Sequence, residues 1–140
     1  MLLDEIGTYI ASTSHGLSLS FSSNLFKVPI PETAPDNSVS IIEYGGVQAM
    51  RAMGESLSAP VCERPKFQVI VRSTLDGFNT GRGLAESIHR LLDGMADTTL
   101  SSVRYLYVRA IQPPFLLGDP EDENARFRFV CNFEAMRATT

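Results

Sequence analysis

Reactive side chains are scarce in this 140-residue sequence, which has two histidines, two cysteines and no tryptophan. Serine or cysteine catalysis requires a histidine and a carboxylate brought together beside the nucleophile. His15 directly precedes a glycine after an amphipathic segment, and His89 falls on the polar side of a second one, so both are interpreted as surface histidines. The nucleophile-elbow motif is missing as well. We therefore predict that the protein is not an enzyme.

Metal and disulfide chemistry lack their usual sequence patterns. Cys62 and Cys131 form no CxxC pair, and the two histidines form no HxxxH pair, which are spacings typical of zinc sites. Two cysteines also do not make a disulfide framework. Cys131 lies in an apolar strand pattern and is predicted to be a small core residue. The sequence predicts no metal and no cofactor.

Long apolar runs and basic clusters are missing too. No run approaches the roughly 20 residues of a transmembrane helix, and the start Met1-Leu-Leu-Asp-Glu lacks the basic region of a signal peptide. The net charge of −4 gives no electrostatic reason to bind a phosphate backbone. These absences predict a protein that matures in the cytosol, with no membrane partner and no specific nucleic-acid partner.

The composition that remains is that of a globular domain. Hydrophobic residues make up 44% of the chain and charged residues 20%, which argues against disorder. A chain of this length can bury a core without disulfides or metals. We predict one domain over residues 1–140.

The most strongly patterned part of the chain runs from Arg64 to Met95. Alternating apolar side chains from Phe67 to Val71 predict a strand that is covered on one face. After an Asp76-Gly77 turn, helical spacing predicts an amphipathic helix that ends at Gly94. The apolar stripe of this helix consists of Leu84, Ile88, Leu91, Leu92 and Met95.

The other segments predict a sheet around this unit. A helix is predicted from Leu2 to about Thr13, and a polar turn from Thr98 to Ser102. The remaining strands are predicted at Asn24–Val28 and Ser38–Tyr44, paired as a hairpin, and at Val103–Ile111 and Arg126–Glu134. The predicted fold class is α+β, with a largely antiparallel sheet of four to five strands and two helices packed on one face.

One face of this sheet is rich in polar and aromatic residues. In one interpretation it is a solvated face whose arginines reach Glu43 or Glu134 on neighbouring strands. In the other it is a subunit contact, since tyrosine and arginine are enriched in interfaces. The residues alone leave both interpretations open. The candidate interface residues are Gln68, Arg72, Tyr105, Tyr107 and Arg109.

Two further segments are candidates for partner contacts. Residues 45–63 are predicted to form a long loop, because they show no clear period, and long loops tend to be functional or mobile. Met50 and Met53 are its candidate contact residues. The acidic tip Glu121, Asp122 and Glu123 is interpreted as a solvated turn that in a ring could face the axis.

A glycine-rich stretch from Gly77 to Gly83 lies between the central strand and its helix. Phosphate-binding loops occupy such positions, but this stretch matches neither the P-loop nor the dinucleotide fingerprint. Its glycines are interpreted as loosening the turn and the helix start. A small ligand-binding domain or enzyme that uses this cleft is the alternative from a different functional class.

Four stretches of the sequence together resemble a family of tailed-phage minor capsid and tail terminator proteins. They are residues 2–10; residues 24–26 with 35–37 and 42–46; residues 64–72 with the helix at 85–94; and residues 105–118 with 129–134. Each is a structural pattern rather than a reactive motif, and together they span nearly the whole chain.

The resemblance implies a small virion subunit that assembles in the host cytoplasm into a ring, commonly a hexamer. Such a ring caps the tail tube and joins it to the head-tail connector or neck. DNA would pass through the lumen without specific binding, and a negatively charged wall would suit that passage. A head-completion or neck protein is the alternative within the same class.

Overall fold

The computed structural model describes residues 1–50, 62–74, 77–117 and 126–138. It contains two α-helices, seven strands and one short 3-10 turn at Thr13–His15. The helices are α1 (Leu2–Ala11) and α2 (Phe78–Leu92). The strands are β1 (Leu25–Phe26), β2 (Ser38–Met50), β3 (Cys62–Thr74), β4 (Met95–Leu100), β5 (Val103–Ala110), β6 (Phe115–Leu116) and β7 (Arg126–Ala138).

All seven strands form one mixed sheet in the order β1-β2-β3-β7-β5-β4, with β6 paired to β7 beyond the end of β5. Only β1 and β2 are parallel, and every other ladder is antiparallel. The predicted α+β class is therefore confirmed, whereas the strand count of four to five was too low. β3, the strand of the most strongly patterned segment, lies in the middle of the sheet beside β7.

The predicted hairpin between the first two strands is wrong. Leu25 pairs with Val39 and Phe26 with Ser40 in a parallel ladder. Residues 27–37, which contain Pro29, Pro31 and Pro35, return the chain so that β2 starts beside β1 and runs in the same direction. Because proline cannot donate to a ladder, this segment ends β1 after two residues instead of turning it into a hairpin.

The predicted long loop at 45–63 is partly strand. β2 continues to Met50, and β3 already begins at Cys62. The sequence pattern is lost here because a bulge between Glu43 and Gly46 breaks the alternation, with Gly45 at φ 46° and Gly46 at φ 156°. Met53 and the rest of 51–61 lie outside the described residues.

The predicted polar turn at Thr98–Ser102 is mostly the edge strand β4. The turn itself is Ser101-Ser102, closed by the pair Leu100 and Val103. Both serines have positive φ, 49° and 69°, which matches the two-residue hairpin turn whose twist suits antiparallel strands. This turn was not predicted from the sequence, because serine is rarer than asparagine or glycine at such positions.

Both helices pack on the same face of the sheet. Ile6 and Ile10 of α1 and Ile88 and Leu92 of α2 share one hydrophobic core with the strands. Four residues of the predicted stripe of α2 face this core, whereas the fifth, Met95, is the first residue of β4. Gly94 follows the helix end at φ 82° as expected. The strand residues of the core are Val39, Ile41, Phe67, Val69, Val71, Leu100, Tyr105, Val108, Phe129, Cys131, Phe133 and Ala135.

A glycine brings α2 close to the centre of the sheet. A Cβ placed on Gly81 would lie 2.5 Å from Ser73 Oγ and 3.1 Å from Phe129 Cε2. Gly83, two residues later on the exposed side of the helix, has nothing within 4 Å of the same position. The glycines of this stretch therefore include one that is required for packing.

A buried polar cluster holds α1 to the sheet. The Tyr105 hydroxyl donates to Glu5 Oε1 at 2.8 Å, and Arg137 Nη2 donates to Glu5 Oε2 at 3.1 Å. Glu5 is 3% exposed and Tyr105 is fully buried. Burial, with the neighbouring Glu5 carboxylate, raises the pKa of the Tyr105 hydroxyl far above its ordinary value. Charge-assisted bonds of this kind fix one helix position against two strands.

Substituting the two α2 glycines should separate packing from helix propensity. Gly81→Ala should lower the free energy of unfolding by about 1–3 kcal/mol, because the methyl group would collide with Ser73. Gly83→Ala should raise it by about 0.5–1 kcal/mol, because alanine favours a helix interior and the site is open. Urea unfolding of both variants measures these changes; equal shifts for the two would contradict the close approach.

Removing the Tyr105 hydroxyl should change stability in a pH-dependent way. At pH 7, Tyr105→Phe should cost about 1.5–3 kcal/mol, since Glu5 loses a buried donor. Because the folded pKa is raised, the contribution of neutral Tyr105 is complete below about pH 10 and is lost as the pH rises further. The difference from wild type should therefore shrink above about pH 10 in unfolding titrations.

Tyr9→Phe is the matched control for this measurement, because the Tyr9 hydroxyl bonds no residue in the described ranges. It should change the free energy of unfolding by less than about 0.5 kcal/mol at every pH. A Tyr105→Phe variant as stable as the control at pH 7 would show that the bond to Glu5 contributes nothing.

Candidate assembly surface

The face of the sheet opposite the helices is the candidate functional surface, and it is called the open face below. The alternation of side chains along each strand places polar residues there, between the core residues that face the helices. The residues of the open face are Ser40, Ile42, Gln68, Ile70, Arg72, Tyr107, Arg109, Arg128, Val130, Asn132 and Glu134.

A three-residue cluster occupies the β5–β7 part of the open face. Arg109 Nη2 donates to Glu134 Oε2 at 3.3 Å, and the Tyr107 hydroxyl donates to Glu134 Oε1 at 3.4 Å. The Arg109 guanidinium also lies 4.7 Å from the centre of the Tyr107 ring. The Arg109 side chain is 60% exposed. The predicted crossing of an arginine to Glu134 is confirmed, and the cluster leaves its cation accessible to a partner.

Next to this cluster, the two central strands carry an amide pair. Gln68 Nε2 donates to Asn132 Oδ1 at 2.9 Å, across the β3–β7 ladder. Exposed Tyr44 borders the same region, and burial, together with Glu134, raises the pKa of its hydroxyl. Gln68, Tyr107 and Arg109 therefore lie on one continuous polar surface, as the sequence indicated.

Tyr105 was predicted beside Tyr107 and Arg109 on the polar face, and that placement is wrong. A bulge in β5 shifts the register, so that Tyr105 pairs with Arg137 while Tyr107 already pairs with Met136. The extra residue turns Tyr105 and Val108 both toward the helices, where each is fully buried. Strict alternation cannot reveal such a bulge. Tyr105 bonds Glu5 inside the subunit rather than presenting its ring on the open face.

Arg72 lies on the open face as predicted but is not available as a surface residue. It is 5% exposed and donates to the carbonyl oxygens of Pro31, Ala34 and Pro35 at 3.0–3.1 Å. Residues 29–35, the proline segment, thus cross one end of the open face, where the Arg72 guanidinium bonds three of their carbonyls and the Ser38 hydroxyl also donates to Pro35 O. This role of Arg72 was not predicted, because Arg72 and the proline segment are distant along the chain.

A cavity of about 250 Å³ remains where the proline segment meets the sheet. Arg126, which lies 3.2 Å from Asp36, and exposed Arg128 flank it on β7, and Glu32 lies on the opposite side. Its floor is apolar, formed by Ile42 and Ile70. Arg128 and Asn132 were not predicted as site residues, although the outward positions of the β7 alternation pointed to both.

The remaining candidates fall elsewhere. The side chain of Met50 and all of Met53 lie outside what the structure describes, as does the acidic tip Glu121, Asp122 and Glu123. At Gly77–Gly83, where the sequence suggested a cleft, Gly81 of α2 packs closely against Ser73 of β3. Within the described ranges, no three His, Cys, Asp or Glu side chains are grouped to hold a metal ion. His15 packs edge-on against Tyr9, with 4.6 Å between ring centres.

A sequence comparison identifies the family of this chain. The family model described as "Bacteriophage tail terminator protein" matches residues 4–138. The chain belongs to this family. It is accordingly a structural protein of the phage virion. No curated protein matches the sequence.

Solved structures with the same fold include a virion component. A chain from the virion of a native gene transfer agent particle superposes with a TM-score of 0.63 and 17% identity, over 98% of this chain and 94% of that one. A second solved chain superposes with a TM-score of 0.53 and 11% identity, over 96% of this chain and 89% of that one. At such identities the likeness shows the fold. In the described ranges of the terminator chain, no helix is long and apolar enough to cross a bilayer.

Replacing two arginines of the open face by lysine, one at a time, should show that Arg72 stabilises the fold and that Arg109 does not. Arg72→Lys should lower the free energy of unfolding by about 1–3 kcal/mol, because an ammonium group cannot reproduce the forked bonds to three carbonyls. Arg109→Lys should change it by less than about 0.5 kcal/mol, since its bond to Glu134 is exposed. Chemical denaturation measures both, and similar losses would contradict the assignment.

Proposed function

We propose that this terminator-family chain is the subunit of a ring, commonly a hexamer in form, that caps the tail tube and joins the tail to the head-tail connector or neck. The observation that carries the proposal is the match of the family model to residues 4–138, which is nearly the entire chain. The function requires no reactive group, only surfaces that recognise neighbouring copies and the tube.

The open face supplies such a surface in this proposal. Tyr107 and Arg109 present an aromatic ring and an accessible cation, a combination enriched at the centres of protein interfaces. The amide groups of Gln68 and Asn132 add donors and acceptors beside them. In the same proposal, DNA passes through the lumen without specific contacts, which the net charge of −4 favours.

In this proposal, Met50 and Met53 of the 45–63 region contact neighbouring subunits or the tube, and the acidic tip Glu121, Asp122 and Glu123 faces the channel of the ring. A head-completion protein would use similar segments to bind the connector alone. The two roles differ in one consequence, since only a terminator limits the length of the tail.

Virions that lack the protein test this function directly. A phage with a stop codon in the gene should produce filled heads that are separate from tails, and tails of irregular length, when lysates are viewed by negative-stain electron microscopy. Supplying the wild-type protein from a plasmid should restore joined particles. Tails of normal length that still join heads would contradict the proposal, and tails of normal length detached from heads would assign the head-completion role.

A further inference from the structure

The edge of the sheet at β2 is only partly covered. β1 pairs with β2 at Val39 and Ser40, and from Ile41 onward no described strand lies on the side of β2 that faces away from β3. Glu43 is exposed at this edge. Residues Ile41–Glu43 pair with β3 in regular register, and the bulge follows between Glu43 and Gly46. Among the described residues, a regular three-residue edge is therefore open to a further strand.

The direction of the backbone groups at this edge follows from one hydrogen bond. The Val39 N–H donates to Asn24 O at 2.8 Å, on the side away from β3. Since backbone groups alternate sides along a strand, the N–H and C=O groups of Ile41 and Glu43 also point away from β3. No described residue bonds these backbone groups from that side, and another strand could bond them.

Edges of this kind are normally protected in proteins that remain monomeric. The usual protections are a very short strand, charged side chains (lysine above all), proline, a bulge or a covering loop. Ile41–Glu43 has one charged residue, Glu43, but neither lysine nor proline, and no bulge interrupts its pairing with β3. Its one charge and its short length leave its outward backbone groups able to pair with another short edge strand.

The opposite end of the sheet has a second open edge. β4 pairs with β5 and with no other described strand. Asp97 has a φ of 45°, which interrupts the strand, and the regular part is Thr98–Leu100. Asp97 is neutralised by Arg104 at 2.7 Å, so this edge carries no net charge to repel Glu43. The two regular edges are similar in length.

We propose that Ile41–Glu43 of one copy pairs with Thr98–Leu100 of the next copy, so that the sheet continues from subunit to subunit. The inference rests on the proposed ring and specifies its contact. A closed ring of identical subunits requires two different surfaces on each subunit that meet head to tail. One sheet with two unlike open edges at its opposite ends supplies such a pair, and backbone bonds between edges are a common mode of recognition.

Proline at position 43 tests the contact. Glu43→Pro removes the outward N–H and breaks no bond to β3, whereas Glu43→Ala removes the side chain and keeps the N–H. Both variants should show the wild-type circular dichroism spectrum. In native mass spectrometry, Glu43→Ala should form rings as the wild type does, and Glu43→Pro should require at least about tenfold higher concentration. Rings of Glu43→Pro at the concentration of the alanine variant would overturn the proposal.

Hydrogen exchange on the wild-type protein tests both edges without any substitution. The amides of Ile41 and Glu43, and the peptide spanning β4, should exchange about tenfold or more slowly in rings than in monomers. Protection of β2 without β4 would overturn the proposal, because a strand other than β4 would then occupy the edge. Rings in which neither edge is protected would overturn it and leave the proposed function intact.

The hydrogen-exchange experiment can use rings from either of two sources. Where the isolated chain is monomeric, rings are taken from tails purified from virions and compared with the isolated chain in the same exchange experiment. A chain that is monomeric in isolation and forms no ring in tails would overturn the proposed function, and with it the paired edges. The failure of the contact and the failure of the function therefore give different results.

Discussion

The burial of only one sheet face is the constraint on which the rest of the structure depends. Both helices share a core with the same side of the strands, so the other side must be satisfied by polar side chains, by the proline segment or by another molecule. β3 illustrates this constraint. It is paired on both edges, with Phe67, Val69 and Val71 on the side of the helices and Gln68 and Ile70 on the other side. A sheet covered on one side is a frequent antiparallel solution, and its uncovered side is where function can be built.

Parts of the fold that depend on local periodicity could be predicted from the sequence. Phe67 to Val71 and the stripe of α2 repeat at regular intervals, and the structure places both as expected. Apart from the wrong β1–β2 hairpin, the errors share a cause, since each lies where the period is interrupted. The bulges at Gly46 and Tyr105 shift side chains by one position, and positive φ at Ser101 and Ser102 makes a turn from residues that do not require one. A single sequence carries no signal for a bulge without a glycine.

The candidate surface was predicted less completely than the fold, because contacts between distant residues decide it. Arg72 and Arg109 look alike in sequence, each an arginine on a strand with alternating neighbours. Arg72 bonds three carbonyls of the proline segment, whereas Arg109 reaches one carboxylate and remains 60% exposed. In the sequence, Glu5 is likewise an ordinary acidic residue of a first helical turn. In the structure it accepts hydrogen bonds from Tyr105 and Arg137 inside the protein. Only the tertiary fold separates an internal cation from an accessible one.

The proline segment links the open face to the open edge. Pro29 and Pro31 cannot donate to a ladder, so β1 stops at Phe26 and covers only the first part of β2. The same segment then turns across the open face, where Arg72 bonds its carbonyls. A longer β1 would cover the edge at Ile41 and Glu43. One short run of prolines therefore limits how much of the edge β1 covers and supplies the chain that crosses the open face.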